Sequence, residues 1–220
     1  MITAIKPLFR TPWLLLGLLS LLQACTGVPS IKPAPGNASQ KLNQAHLKHI
    51  ANIQHFSLKG RIGVQTEGKG FSGGLHWQHH TNDDDIALYS PLGGQVASIK
   101  KSAEKVTLAD ANGNNFSAND AETLTQSALG WQLPLTGLAD WSLGRPSGYT
   151  TQDSTLQNST LQNSTWDERG LLTTLHQDGW KIEYQNYSEQ NGYLLPSKIF
   201  LKSDKVNLKL LVETWDNIGY

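Results

Sequence analysis

From residue 55 onward, apolar residues and glycines recur at every second position. Phe56, Leu58, Gly60, Ile62 and Val64 alternate with polar residues. So do Phe71, Gly73, Leu75 and Trp77, then Trp180, Ile182 and Tyr184, and last Val206, Leu208, Leu210 and Val212. A period of two marks strands with one buried face. Shorter strands are expected at 86–89, 95–100, 105–109, 171–176 and 198–202, separated by turn-forming segments at 67–69, 81–85, 112–114 and 203–205. Many short strands joined by tight turns predict a mainly β domain, an antiparallel meander curled into an incomplete barrel.

Three segments carry helical spacing instead. Residues 39–52 hold Leu42, Ala45, Leu47 and Ile50 behind a Ser39 cap. Residues 119–129 place Ala121, Leu124, Ala128 and Leu129 behind Ser117 or Asn119. Residues 134–143 open on Pro134, whose missing N–H is harmless at a helix start, and show Leu135, Leu138 and Trp141 on one side. Two amphipathic helices inside a run of strands need a sheet face to cover. The expected architecture is therefore a strongly curved sheet closed by about three helices around a hydrophobic interior.

The N-terminus has a different character. Lys6 and Arg10 precede an apolar stretch at 13–22, and Ala24 offers the small residue before a cut. That stretch is too short to span a bilayer as a helix. Cys25 is the only cysteine in the chain, and Leu22-Gln23-Ala24-Cys25 resembles the lipobox of bacterial lipoproteins. The resemblance implies a diacylglycerol on the Cys25 sulfur and an acyl group on its nitrogen, with no other cofactor; the alternative is an ordinary secretory signal with a cysteine nearby by chance. Each buried methylene is worth about 0.8 kcal/mol and stable anchoring takes two chains, so three acyl chains make a permanent anchor. Thr26, rather than an aspartate, follows the cysteine. In Gram-negative lipoproteins that choice implies the outer membrane, and so its periplasmic face. Residues 1–24 are thus expected to be a signal peptide, 25–40 a lipidated tether with Pro29, Pro33, Pro35 and Gly36, and 41–220 the folded domain. A coil of that length spans about 20 Å, which keeps the domain close to the bilayer.

Composition narrows the function. Of the 18 Lys+Arg, two lie in the leader, while all 18 Asp+Glu follow it, so the mature chain carries a net charge of −2. The absence of a basic stretch interleaved with aromatics argues against nucleic acid. With its one cysteine committed to lipid the chain has no internal disulfide, so stability must come from the apolar core.

A set of short motifs then recurs in a family-specific order. These are Phe56-Ser57-Leu58-Lys59-Gly60-Arg61-Ile62, Gly73-x-Leu75-x-Trp77, Ser90-Pro91-Leu92-Gly93, Gly130-Trp131-x-Leu133-Pro134, Leu138-x-x-Trp141-x-x-Gly144, Gln177-x-Gly179-Trp180-x-Ile182-x-Tyr184 and Leu195-Pro196. The set resembles the LolB family of outer-membrane lipoprotein receptors, from about residue 40 to 215. The resemblance implies an incomplete antiparallel barrel whose helices close a hydrophobic cavity. It also implies the activity of accepting acylated lipoproteins from the soluble periplasmic carrier LolA and inserting them into the outer membrane without ATP. Its partners would be that carrier, the acylated cargo and outer-membrane lipid, and the protein would act as a monomer.

Candidate site residues follow from pattern and resemblance together. The inward positions Phe56, Ile62, Leu75, Trp77, Leu88, Trp180, Leu208 and Leu210 either line an acyl-chain cavity or form a packed core. Trp131, Trp141, Trp180 and Trp215 leave the same two options open. Leu92 sits in Ser90-Pro91-Leu92-Gly93-Gly94, where proline and glycines demand a turn. In the family the matching leucine is an exposed loop residue that pushes cargo into the membrane; otherwise this leucine folds back onto the core.

Other signals weaken on inspection. Gly68-Lys69-Gly70-Phe71-Ser72-Gly73 matches G-x-G-x-x-G, but it joins two strands and opens no helix, so it reads as a hairpin turn. His76, His79 and His80 near Asp83, Asp84 and Asp85 evoke a metal site, but in a strand His79 faces away from the other two, and the aspartates read as a polar loop. Tandem Ser-Thr-Leu-Gln-Asn copies at 154–163 read as a long surface loop or extended hairpin. Neither a Walker A lysine motif nor a Gly-x-Ser-x-Gly elbow is present, and no enzyme activity is expected. The runner-up reading is a lipid-anchored envelope binding or scaffolding module without an acyl pocket.

Overall fold

The computed structural model describes residues 37–149 and 163–219. The chain divides into two units, Met1–Ala34 and Pro35–Tyr220, and the described residues all belong to the second. Cys25, the leader, most of the tether and the repeat at 154–162 lie outside them.

Helix α1 (Asn37–Ile50) leads into six strands: β1 (His55–Gln65), β2 (Gly70–His80), β3 (Asp83–Tyr89), β4 (Gln95–Lys101), β5 (Val106–Asp110) and β6 (Asn115–Ala118). Helices α2 (Ala121–Leu129) and α3 (Leu135–Ser142) follow, then β7 (Ser164–Trp166), β8 (Leu172–Gln177), β9 (Trp180–Gln190), β10 (Tyr193–Lys202) and β11 (Asn207–Gly219). All eleven strands form one antiparallel sheet in the order β6-β5-β4-β3-β2-β1-β11-β10-β9-β8-β7. Two meanders meet at the long β1–β11 pair, and β6 and β7 remain unpaired with each other, so the strongly curved sheet is an incomplete barrel. The mainly β, helix-closed architecture expected from the pattern is the one observed.

Curvature comes from local irregularities. The β1–β11 register slips between Lys59 and Gly60, and a Cβ on Gly60 would stand 2.1 Å from the Leu211 carbonyl oxygen. Only glycine tolerates that approach. The β3–β4 register slips at Leu88/Tyr89, next to Gly73, whose Cβ would meet the Tyr89 carbonyl oxygen at 2.0 Å. Asn186 and Asn217, with φ of 56° and 52°, add bends in β9 and β11.

The alternating faces divide as read. Phe56, Leu58, Ile62 and Val64 of β1 face the core with Leu75 and Trp77, Ile86 and Leu88, Ile182 and Tyr184, and Leu208 and Leu210. From the helices, Leu124, Leu135, Leu138 and Trp141 close the same core, with α2 resting on β5 and β6 and α3 on β10.

Several boundaries differ from expectation. Helix α1 starts at Asn37, inside the segment assigned to the tether and ahead of Ser39. The cap of α2 is Asp120, whose carboxylate accepts from the Thr123 N–H at 2.7 Å, and not Ser117 or Asn119. Strand β6 is only four residues long and mostly exposed, so its Asn-Phe-Ser-Ala alternation was too brief to mark a strand. β9 and β10 run on past 184 and back from 193, because Asn191 and Gly192, at φ of 51° and 84°, form the two-residue hairpin turn that Asn-Gly favours.

Candidate functional site

The turn that carries Leu92 is built by its own sequence. Ser90 accepts from the Gly93 N–H at 2.9 Å and donates to the Gly94 carbonyl at 2.7 Å. Pro91 supplies the second position, and Gly93 takes φ of 89°. Serine, proline and glycine each sit where this four-residue turn prefers them. Leu92, the remaining position, is 98% exposed, so it does not fold back onto the core.

Antiparallel pairing puts the β1–β2, β3–β4, β5–β6 and β10–β11 turns at one end of the sheet, together with Leu92. Between these turns and α2 lies a cleft of about 300 Å³ walled by Phe71, Leu88, Val96, Leu129 and Trp131, with Lys69 at its edge. Phe71 and Trp131 stack with ring centres 6.2 Å apart and planes 17° from parallel. Phe71 also lines a second cleft, of about 380 Å³, with Val64, Phe200 and Leu208.

The expected interior residues come together. Phe56, Ile62, Leu75, Trp77, Leu88, Leu208 and Leu210 are all buried in one cluster, and Trp180 packs half-buried against it. Leu88 reaches the first cleft and Leu208 the second. Trp180 borders a polar cleft of about 610 Å³ beside Asp178 and Lys202. Of the other tryptophans, Trp131, Trp141 and Trp215 are buried in the cluster.

Two buried polar networks escaped the sequence reading. The aspartates at 83–85 were expected in a loop, yet β3 begins at Asp83, and only Thr81 and Asn82 turn. Asp84 shares the inward face with Ile86 and Leu88 and is 3% exposed. Its Oδ1 accepts from Trp77 Nε1 at 2.8 Å and pairs with His79 Nδ1 at 2.7 Å, while Lys101 reaches Oδ2 at 3.2 Å. Burial pushes the Asp84 carboxyl up, but the bonds and charges of His79, Trp77 and Lys101 outweigh it and hold the group below the usual carboxylate range. His79 does face away from His76 and His80, as alternation required. The residues 68–73 form the β1–β2 hairpin, where Thr66 N–H donates to the Lys69 carbonyl at 2.8 Å.

The second network centres on Arg145. Its Nε pairs with Asp140 Oδ1 at 2.7 Å, Nη1 donates to the carbonyls of Ile50 and of Ala51 (2.9 Å), and Nη2 to Ile53 at 2.9 Å. A buried guanidinium thus satisfies the last carbonyl of α1 and two more in the segment between α1 and β1. Gln177 fastens α3 from another side, accepting from Trp141 Nε1 at 2.9 Å and from the Ser147 N–H at 2.8 Å.

Known proteins supply the context. A family model described as "Outer membrane lipoprotein LolB" matches residues 54–215. Relatives named "Outer-membrane lipoprotein LolB" include one from Pseudomonas fluorescens (strain Pf0-1), 32% identical over 197 residues, which are 90% of this chain and 91% of that protein. Another, from Pseudomonas savastanoi pv. phaseolicola, is 31% identical over 90% of this chain and 92% of its own. A solved LolA superfamily protein from Nitrosomonas europaea aligns over 81% of this chain and 92% of its own with a TM-score of 0.41 and 9% identity. With a family model matching residues 54–215 and relatives 31–32% identical over 90% of its length, this chain belongs to the LolB family.

Proposed function

We propose that this protein resides at the periplasmic face of the outer membrane, anchored by acylated Cys25, where it accepts acylated lipoproteins from a LolA-like carrier and inserts them into the bilayer. The membership of the family and the names of its relatives support the outer-membrane address, and Leu22-Gln23-Ala24-Cys25 supports the anchor. No nucleotide is needed. Exposing an acyl chain of about 16 carbons to water costs on the order of 10 kcal/mol at about 0.8 kcal/mol per methylene. Cargo therefore moves only between shielded sites, and passes forward when each site holds it more favourably than the last. In this protein the shielded site is the concave interior formed by Phe56, Ile62, Leu75, Trp77, Leu88, Trp180, Leu208 and Leu210.

The observation that carries the reading is Leu92, a large apolar side chain held almost fully in water by a rigid turn. Such exposure costs stability and is repaid when the leucine enters a bilayer. The test is transfer of a radiolabelled lipoprotein from its carrier to phospholipid vesicles. Leu92→Glu should accept cargo at the wild-type rate yet leave it undelivered. Delivery at the wild-type rate by this variant would refute the role of Leu92.

A further inference from the structure

The two ends of the β1–β4 half of the sheet are sealed by different forces. At the start of β1, Arg145 bonds three carbonyls and Asp140, and the Asp84–His79–Trp77–Lys101 network ties β2, β3 and β4 together. Opening that end would strand buried charges, each costing several kcal/mol. At the Leu92 end the seal is the Phe71–Trp131 stack and the stem of Lys69, whose Nζ lies 2.6 Å from where a Cβ on Gly130 would stand. Here β3 stops short. Its pairing with β2 ends at Gly74↔Tyr89, so residues 70–73 have no partner on that side, and the cleft of about 300 Å³ occupies the gap.

The lid is asymmetric in the same sense. Arg145 and Gln177 pin α3, whereas α2 has nine residues, is too short to be stable alone, and lies on β5 and β6 through Ala121 and Leu124. Its C-terminus, where Gly130 takes φ of 86°, is the end that carries Leu129 and Trp131 over the cleft. Lys69 stands at the negative end of the α2 dipole, an attraction that salt weakens. Among the described residues no carboxylate pairs with its ammonium.

We infer that this cleft is the mouth through which an acyl chain of the cargo passes between the interior and the bilayer, with the Phe71–Trp131 stack as its door and the end of α2 as the part that moves. The inference rests on the proposed lipoprotein hand-off and fixes its route. A volume of about 300 Å³ lies at the lower edge of the usual ligand-pocket range of about 300–1,000 Å³. The apolar walls suit a methylene chain, and the mouth adjoins the turn that bears Leu92. Lys69 at the edge can donate to the ester carbonyls that follow the chain inward. An acyl chain leaving here meets the membrane beside Leu92 without crossing water.

Photo-cross-linking tests the route. Benzoylphenylalanine replaces Phe71, Leu129 or, at the opposite end, the half-buried Ala51 in the full-length lipidated protein in cells, and cargo lipoproteins are labelled with radioactive palmitate. Palmitate-labelled adducts at 71 and 129, with none above background at 51, are the expected result. Adducts at 51 and not at 71 or 129 would overturn the mouth while leaving the hand-off intact. No adduct at any position, in cells that still localise their lipoproteins through this protein, would also overturn it; loss of localisation by the unsubstituted protein would instead refute the function. Because Phe71 is already half-buried and aromatic, its replacement leaves the fold least disturbed.

Discussion

Gly60 and Gly73 show how single residues set the curvature on which the site depends. Each stands where a neighbouring carbonyl oxygen fills the place of a side chain. Gly60→Ala must push Leu211 aside, and a cost of about 1–3 kcal/mol is expected, read from denaturant midpoints. Asp84 acts at the same scale through charge. Its carboxyl is held below the range of an unfolded aspartate, so its contribution is complete above about pH 4 and is lost as pH falls through the folded value. Asp84→Ala leaves His79 and Lys101 facing an emptied site and should cost about 3–5 kcal/mol. The variant should also lose the share of acid-dependent unfolding below about pH 4 that Asp84 contributes.

Among the elements, α1 is attached through a group that titrates at mildly acidic pH. His46 lies against the edge of Tyr187, and its Nε2 is buried without a hydrogen-bond partner. Burial, reinforced by the charge of His49 and opposed by Asp167, lowers its pKa to about 4. An unfolded histidine binds its proton near pH 6.5, so between about 6.5 and 4 the unfolded chain holds the extra proton and stability falls as pH falls. The loss reaches at most ~3 kcal/mol, and His46→Leu should flatten stability across that window. Arg145→Ala should cost about 3–5 kcal/mol by leaving Asp140 and three carbonyls unmatched. The strands β1 and β2 were legible because nearly all of one face is buried and period two survives there, whereas in β11 burial alternates only over its first residues, through Leu208 and Leu210, and its second half carried no signal. Strand β6 was not legible, since its four mostly exposed residues alternate too briefly, and Asp84 was hidden by an aspartate run that imitates a loop. Arg145 bonds residues more than 90 positions away, a pairing that no local pattern encodes. Leu92 was readable from its turn residues, whereas the stack of Phe71 on Trp131 required the fold.

At the scale of the folded unit, an incomplete barrel is covered by short helices, and the proposed hand-off requires that this cover be displaced without unfolding the sheet. Its two meanders share the long β1–β11 seam, which does not involve α2. The proposed hand-off requires that cargo run downhill from carrier to this protein to bilayer. The direct measurement is the equilibrium distribution of one radiolabelled lipoprotein among its carrier, the lipidated protein and phospholipid vesicles, without nucleotide. Cargo is expected to leave the carrier for this protein when vesicles are absent and to gather in the vesicles when they are added. Cargo that stays on the carrier in both cases would contradict it.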